Sequence, residues 1–258
     1  MADSVVAELD GLSAEAIARE LDLPLVQLYD EATSTMDIAA TLGDQSSPAG
    51  SLVIADAQRT GRGRGGRRWA SPAGKGLWLT LLERPNDASA LSVLPLRIGL
   101  RLAGVLERWT SGPIQLKWPN DLYVGGDKLG GILIEARWRN HRLDWVSIGI
   151  GINFSAPDAI PNAAYLTNSP RRRDVLAEMI PALRAATAAR GSLGASELAA
   201  YAARDLGAGR RCRTPVEGVV QGISADGELV VETSAGERRY LTGTLELEPE
   251  VKLEGFDL

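Results

Sequence analysis

KLGGILIEARW (residues 128–138) and DWVSIGIGINF (residues 144–154) are the two stretches on which the reading of the fold turns. Both are long and dense in apolar residues, several of them Ile or Val, which is the pattern of central strands. Working outward, residues 25–29, 52–55, 77–82 and 114–118 read as further strands. Helical spacing covers residues 12–21, a short piece from Ser34 through Met36, Ile38 and Ala39, and residues 172–190 and 193–206. Residues 88–109 form the best long helix, with Pro95 near its first turn or dividing it. Residues 155–170, with three Pro and two Asn, read as loop. From Arg210 the period falls to two. Residues 216–223, 229–233, 237–242 and 245–251 are short strands, with turn signals at Asp226-Gly227 and Ala235-Gly236. That predicts a small β-barrel after a boundary at residues 207–209. The expected organisation is a helical leader (1–25), a main domain (26–208) and the terminal barrel (209–258).

Composition narrows the classes. The 258 residues carry a net charge of −5, are 45% hydrophobic and 24% charged, and are ordinary for a globular chain. One Cys (Cys212) and one His (His141) exclude a disulfide framework and a zinc site built mainly from those residues. Any Ser-His-Asp or Cys-His arrangement has to use His141. A mildly acidic balance implies no general polyanion-binding surface and leaves room for a local basic patch. The start has no basic n-region followed by an apolar core, and no stretch reaches 18 uncharged apolar residues, so the expectation is a soluble, cytoplasmic chain without a membrane partner. Twenty-odd residues ahead of the first strand are too few for a three-helix DNA-binding unit, so no specific DNA binding is expected.

Two polar stretches stand out. Residues 58–68 of QRTGRGRGGRRW (58–69) hold four Gly and five Arg. Gly lets backbone approach a ligand closely, and Arg supplies forked donors for carboxylate or phosphate. The stretch lacks the GxxxxGK[ST] of a Walker loop, and its formal GxGxxG match opens no evident helix. A short RGG-like nucleic-acid segment and a plain solvated loop remain alternatives. The second stretch, KWPND (117–121), is followed seven residues later by Lys128. Two Lys and one Asp near two strand ends suit an acidic nucleotide intermediate. One Lys neutralises a leaving diphosphate, the other meets the attacked phosphoryl group, and Asp121 orients an amine or helps place Mg²⁺. The plain alternative is a surface turn stiffened by Pro119 with Trp118 in the core.

Ser34-Thr35, QRTGRGRGGRRW (58–69), KWPNDLY (117–123), KLGGILIE (128–135) and GIGIN (149–153), in this order, closely resemble the biotin protein ligases. The resemblance runs from about residue 26 to the end. It implies an α/β (α+β) catalytic domain with a mixed β-sheet and packed helices, followed by an SH3-like barrel. It implies an enzyme that uses ATP and Mg²⁺ to make biotinyl-5′-adenylate and passes biotin to one Lys of a biotin carboxyl carrier domain. By resemblance, Ser34, Thr35, Gln58, Gly61, Arg62, Arg64, Lys128, Gly131 and Gly149 would bind biotin. Arg62, Gly63, Arg64, Lys117, Asn120, Lys128 and Asn153 would meet ATP or the adenylate. Lys128, Arg64, Asp121 and Lys117 would carry the chemistry, and no residue is assigned to a metal. Met36 stands where Asn is common, and Gly130 where Ala is frequent. No role in the chemistry falls to Cys212 or His141, which read as structural and surface residues. The related lipoate protein ligases are the rival enzyme, and a nucleic-acid-binding module using the Arg loop is the rival of another class.

Overall fold

The two apolar runs lie side by side near the middle of an eight-stranded sheet. The structure is a computed structural model and describes residues 3–6, 8–85, 87–155 and 163–249. In chain order the strands up to this point are β1 (Ser4–Val5), β2 (Glu8–Leu9), β3 (Leu12–Ser13), β4 (Leu25–Ala32), β5 (Ser51–Gln58), β6 (Gly76–Glu83), β7 (Ile114–Lys117), β8 (Asp121–Val124), β9 (Asp127–Arg139) and β10 (Arg142–Asn153). The sheet runs β1-β4-β5-β6-β10-β9-β8-β7. Among the described strand pairs of this sheet only β4 and β5 are parallel, so the sheet is mixed as expected. A parallel pair needs a crossover, and the helix of Thr35–Asp44 supplies it.

The helices are α1 (Ala14–Glu20), α2 (Thr35–Asp44), α3 (Leu94–Leu106), α4 (Arg172–Ala188) and α5 (Ala195–Ala202). Strand alternation sorts the core into two layers. Ala39 and Leu42 of α2 pack with Val53, Leu82 and Trp145 on one face. Ile17, Leu102, Met179 and their neighbours pack with Leu28, Ile54, Leu79, Ile148 and Ile150 on the other. No described helix is long and apolar enough to cross a membrane.

Several expected bounds shift. The first helix starts at Ala14 because Ser13 caps it, its Oγ accepting the Ala16 N–H at 3.2 Å, while residues 12–13 pair as a hairpin with β2. The leader is more than a helix: Ser4–Val5 extends the main sheet along β4, and the Asp3 carboxylate accepts the Thr33 N–H at 2.6 Å. The long helix begins at Leu94 with Pro95 in its first turn, where a missing N–H costs nothing. Residues 121–124, to which the sequence reading assigns no element, form a strand. Lys117 pairs with Asp121, and the tight connection between them holds a cis Trp118–Pro119 bond. Gly125 and Gly126 close the next hairpin with φ of 60° and 87°, the left-handed pair such a turn demands. Residues 156–162 of the expected loop lie outside the described residues.

The expected terminal barrel is a five-stranded antiparallel sheet. Its strands are β11 (Arg211–Thr214), β12 (Gly218–Ile223), β13 (Leu229–Thr233), β14 (Gly236–Tyr240) and β15 (Glu246–Leu247), ordered β14-β13-β12-β11-β15. β11 was not expected, and residues 250–251 of the last expected strand lie outside the described residues. The sheet is fastened to the main one. Leu116 and the segment after α5 exchange backbone bonds, Leu116 N to Arg204 O at 2.7 Å and Leu206 N to Leu116 O at 2.9 Å. The buried Trp118 indole donates to Gly227 O at 3.0 Å.

Candidate active site

On the α2 face of the sheet lies a cavity of about 140 Å³. Its polar end is built where β5 ends beside the start of α2. The Thr35 N–H and hydroxyl both donate to Gln58 Oε1, at 2.9 and 3.1 Å. Thr80 Oγ1 donates to Thr35 Oγ1 at 2.9 Å, and Gln58 Nε2 donates to Ser71 Oγ at 2.7 Å. The amide and hydroxyls are therefore held in one orientation before any ligand arrives. Behind them, the fully buried Ser34 Oγ has no hydrogen-bond partner among the described residues.

The middle of the cavity is apolar and close to backbone. Gly149 and Gly151 alternate on the cavity face of β10, while Ile148, Ile150 and Ile152 face the main core. A Cβ on Gly149 would lie 2.6 Å from Met36 Sδ, and one on Gly151 would lie 2.5 Å from Trp69 Nε1. The two glycines thus make room for a thioether and an indole that line the cavity. Trp69 meets Trp78 edge-on, with centroids 6.4 Å apart.

The other end is charged. Lys128 and Asp121 sit on neighbouring strands, with Nζ and Oδ2 2.7 Å apart. Lys128 Nζ also lies 5.0 Å from the Trp69 ring centroid. Arg64 reaches in from the Gly/Arg loop, its Nη1 donating to Gly243 O at 3.2 Å and to Asn120 Oδ1 at 3.5 Å. Burial pushes the Arg64 guanidinium below its usual pKa, and Asp121 opposes that shift. Burial also lowers the Lys117 ammonium, with Asp121 opposing and Lys128 adding to the fall. The loop itself is a small hairpin: Gly63 N donates to Arg67 O and Trp69 N to Gly61 O, each at 2.8 Å. Among the described residues no three His, Cys, Asp or Glu side chains gather as a metal site, and Asp121 is already paired. The side chains of the described residues do not form a cage for Mg²⁺.

Residues 29–153 match the model of the biotin/lipoate A/B protein ligase family, and residues 211–245 match that of the biotin protein ligase C-terminal domain. The bifunctional ligase/repressor BirA of Escherichia coli is 30% identical over 255 residues, covering 92% of this chain and 78% of that protein. This chain belongs to the biotin protein ligase family. The BirA of Bacillus subtilis is 34% identical over 154 residues, which is 59% of this chain and 46% of that protein. The chain thus spans less than half of one relative and about four-fifths of the other. A solved biotin protein ligase from Aquifex aeolicus, in complex with biotin and ATP, superposes with a TM-score of 0.72 at 27% identity, covering 86% of this chain and 98% of that one.

Against this family's pattern, the cavity gathers Thr35, Gln58, Arg62, Gly63, Arg64, Asn120, Asp121, Lys128, Gly131 and Gly149. Four expected residues stand outside its wall. Ser34 lies behind Thr35. Gly61 is backbone support, since a Cβ there would sit 2.4 Å from Trp69 O. Lys117, paired with Asp121 on the outer strand of the hairpin, turns its Nζ toward Tyr123, 5.5 Å from the ring centroid. The Asn153 amide is committed to backbone, donating to Lys128 O at 3.2 Å and Ala164 O at 3.0 Å. It holds strands together at this point. Sequence reasoning missed Trp69 and Leu133 as cavity walls. Gly at alternate positions of one strand face was the available signal for Trp69.

Proposed function

We propose that this chain joins biotin to ATP as biotinyl-5′-adenylate, with release of diphosphate, and then passes the biotinyl group to one Lys of a biotin carboxyl carrier domain. The observation that carries this is the polarity of the cavity. A preset amide–hydroxyl end at Thr35 and Gln58 suits a ureido ring. Met36, Leu133 and the bare backbone of Gly149 suit the apolar body. Lys128 and Arg64 suit a carboxylate and the phosphate it attacks. The biotin carboxylate attacks the α-phosphorus and diphosphate leaves. Lys128, with Arg64 opposite, stabilises the negative charge that gathers on the phosphoryl oxygens. The neutral amine of the carrier Lys then attacks the acyl carbon and AMP leaves, with Asp121 holding the amine and taking its proton. Mg²⁺ would come only as part of the nucleotide substrate and would supply neutralisation of the leaving diphosphate. The Gly/Arg hairpin keeps water from the anhydride.

The test is incubation with biotin, ATP-Mg and an unmodified carrier domain, read by intact mass. The expected result is one biotinyl adduct that needs both small molecules. A parallel arm with lipoate separates the rival enzyme. An adduct with lipoate and none with biotin overturns the proposal.

A further inference from the structure

In the Gly/Arg loop Arg59 and Arg62 each engage two carboxylates, and of these two Arg62 is the one that lines the cavity. Its Nη1 donates to Asp37 Oδ1 at 2.8 Å, and its Nη2 bonds Glu135. Asp37 belongs to the first turn of α2 and Glu135 to β9. The guanidinium therefore bridges a helix and a strand from one leg of a hairpin that also lines the cavity. One positive charge between two negative ones leaves the spot net negative, which disfavours an incoming anion. Arg64, two residues on, differs. It bonds only neutral acceptors, Gly243 O and Asn120 Oδ1, and is half-buried against the cavity.

We propose that Arg62 is a positioning residue: by bridging Asp37 and Glu135 it fastens the Gly/Arg hairpin across the cavity and presents Arg64 to the ligand's anion. This departs from the family resemblance, which put Arg62 itself on the ligand. It rests on the biotin reading of the cavity only for the ligand arm of its test. The three side chains are 38%, 50% and 35% exposed, so salt screens the bridge, and its effect is modest. Two such pairs together are worth up to about a factor of ten.

The first arm uses no ligand. Trypsin cleavage after Arg64 and Arg67 is timed in the parent and in the Asp37→Asn/Glu135→Gln double variant, which keeps Arg62. The double variant should be cut about tenfold faster at low salt, and added salt should speed the parent but not the variant. Equal cutting overturns the proposal. The second arm measures biotin dissociation. Arg62→Ala and the carboxylate double variant should each speed release by a similar factor, and the triple variant by no more than either. Additive effects would mean that Arg62 touches the ligand independently of the bridge and would overturn the proposal. A parent that binds no biotin refutes the proposed function, and the proteolysis arm still decides the bridge.

Discussion

At the scale of single residues, Lys128 and Gly151 carry the sharpest consequences. Lys128 is fixed by Asp121 at 2.7 Å and faces Trp69, so its charge is set in place before any phosphate arrives. Lys128→Ala is expected to slow biotin-dependent exchange of labelled diphosphate into ATP by at least ~100-fold. A rate within about threefold of the parent, less than ~1 kcal/mol of barrier, would remove Lys128 from the chemistry. Gly151 tests the wall instead of the charge. A methyl there meets the Trp69 indole at 2.5 Å, so the ring must shift, at roughly 1–3 kcal/mol for an overpacked site. Gly151→Ala should therefore weaken biotin binding about tenfold and alter the tryptophan emission. A lowered Tm with unchanged biotin affinity would show that Trp69 is scaffold and not wall.

At the scale of elements, the hairpin that bears Lys117 and Asp121 is held from behind by Glu107. This carboxylate, one residue past α3, accepts two bonds from Arg204, at 2.6 and 2.9 Å, and the Ile114 N–H at 2.8 Å. It ties the end of α3, the start of β7 and the segment after α5. The hydrogen bonds from Arg204 hold the Glu107 pKa below the ordinary carboxylate value. The folded pKa is lower than the unfolded one, so this tie contributes in full above the unfolded value and fades as pH falls through the folded value. Arg204→Ala should cost about 1–2 kcal/mol at neutral pH, and the gap in Tm between parent and variant should close as the solution is acidified. A gap independent of pH would assign the loss to packing. The hairpin itself was only half legible in the sequence. Central strands announce themselves by apolar density, as β9 and β10 do. Residues 121–124 are four residues that alternate polar and apolar after a Pro, too short for periodicity to register. β11 hides in the same way, with Cys212 as its one buried residue. Asn153 was legible as a polar group at a strand end, but not its partners, because Lys128 O and Ala164 O come from segments far along the chain. Trp69 reads like any core aromatic until the fold sets it against the two glycine-bearing strands.

At the scale of the whole molecule, the terminal sheet belongs to the site as well as following it. Arg64 donates to Gly243 O of the terminal segment, and Trp118, within the KWPND turn, donates to Gly227 O. The residue proposed to hold the intermediate is thus steadied by a part of the chain that lines little of the cavity. A charge-assisted contact to the adenylate phosphate is worth roughly 1.5–3 kcal/mol, and each ~1.4 kcal/mol is a decade in escape rate. Arg64→Gly removes that contact and the bond to Gly243 together, while Lys128 and Asp121 stay paired on the sheet. Synthesis should therefore suffer less than retention. The variant is expected to make biotinyl-5′-adenylate and leak it one to two decades faster, so that the free anhydride acylates exposed Lys residues of bystander proteins. Excess serum albumin added with biotin and ATP should gain biotin over a parent-enzyme control. If adenylate is still formed and albumin labelling does not rise, Arg64 does not retain the intermediate, and the Gly243 contact serves the fold alone.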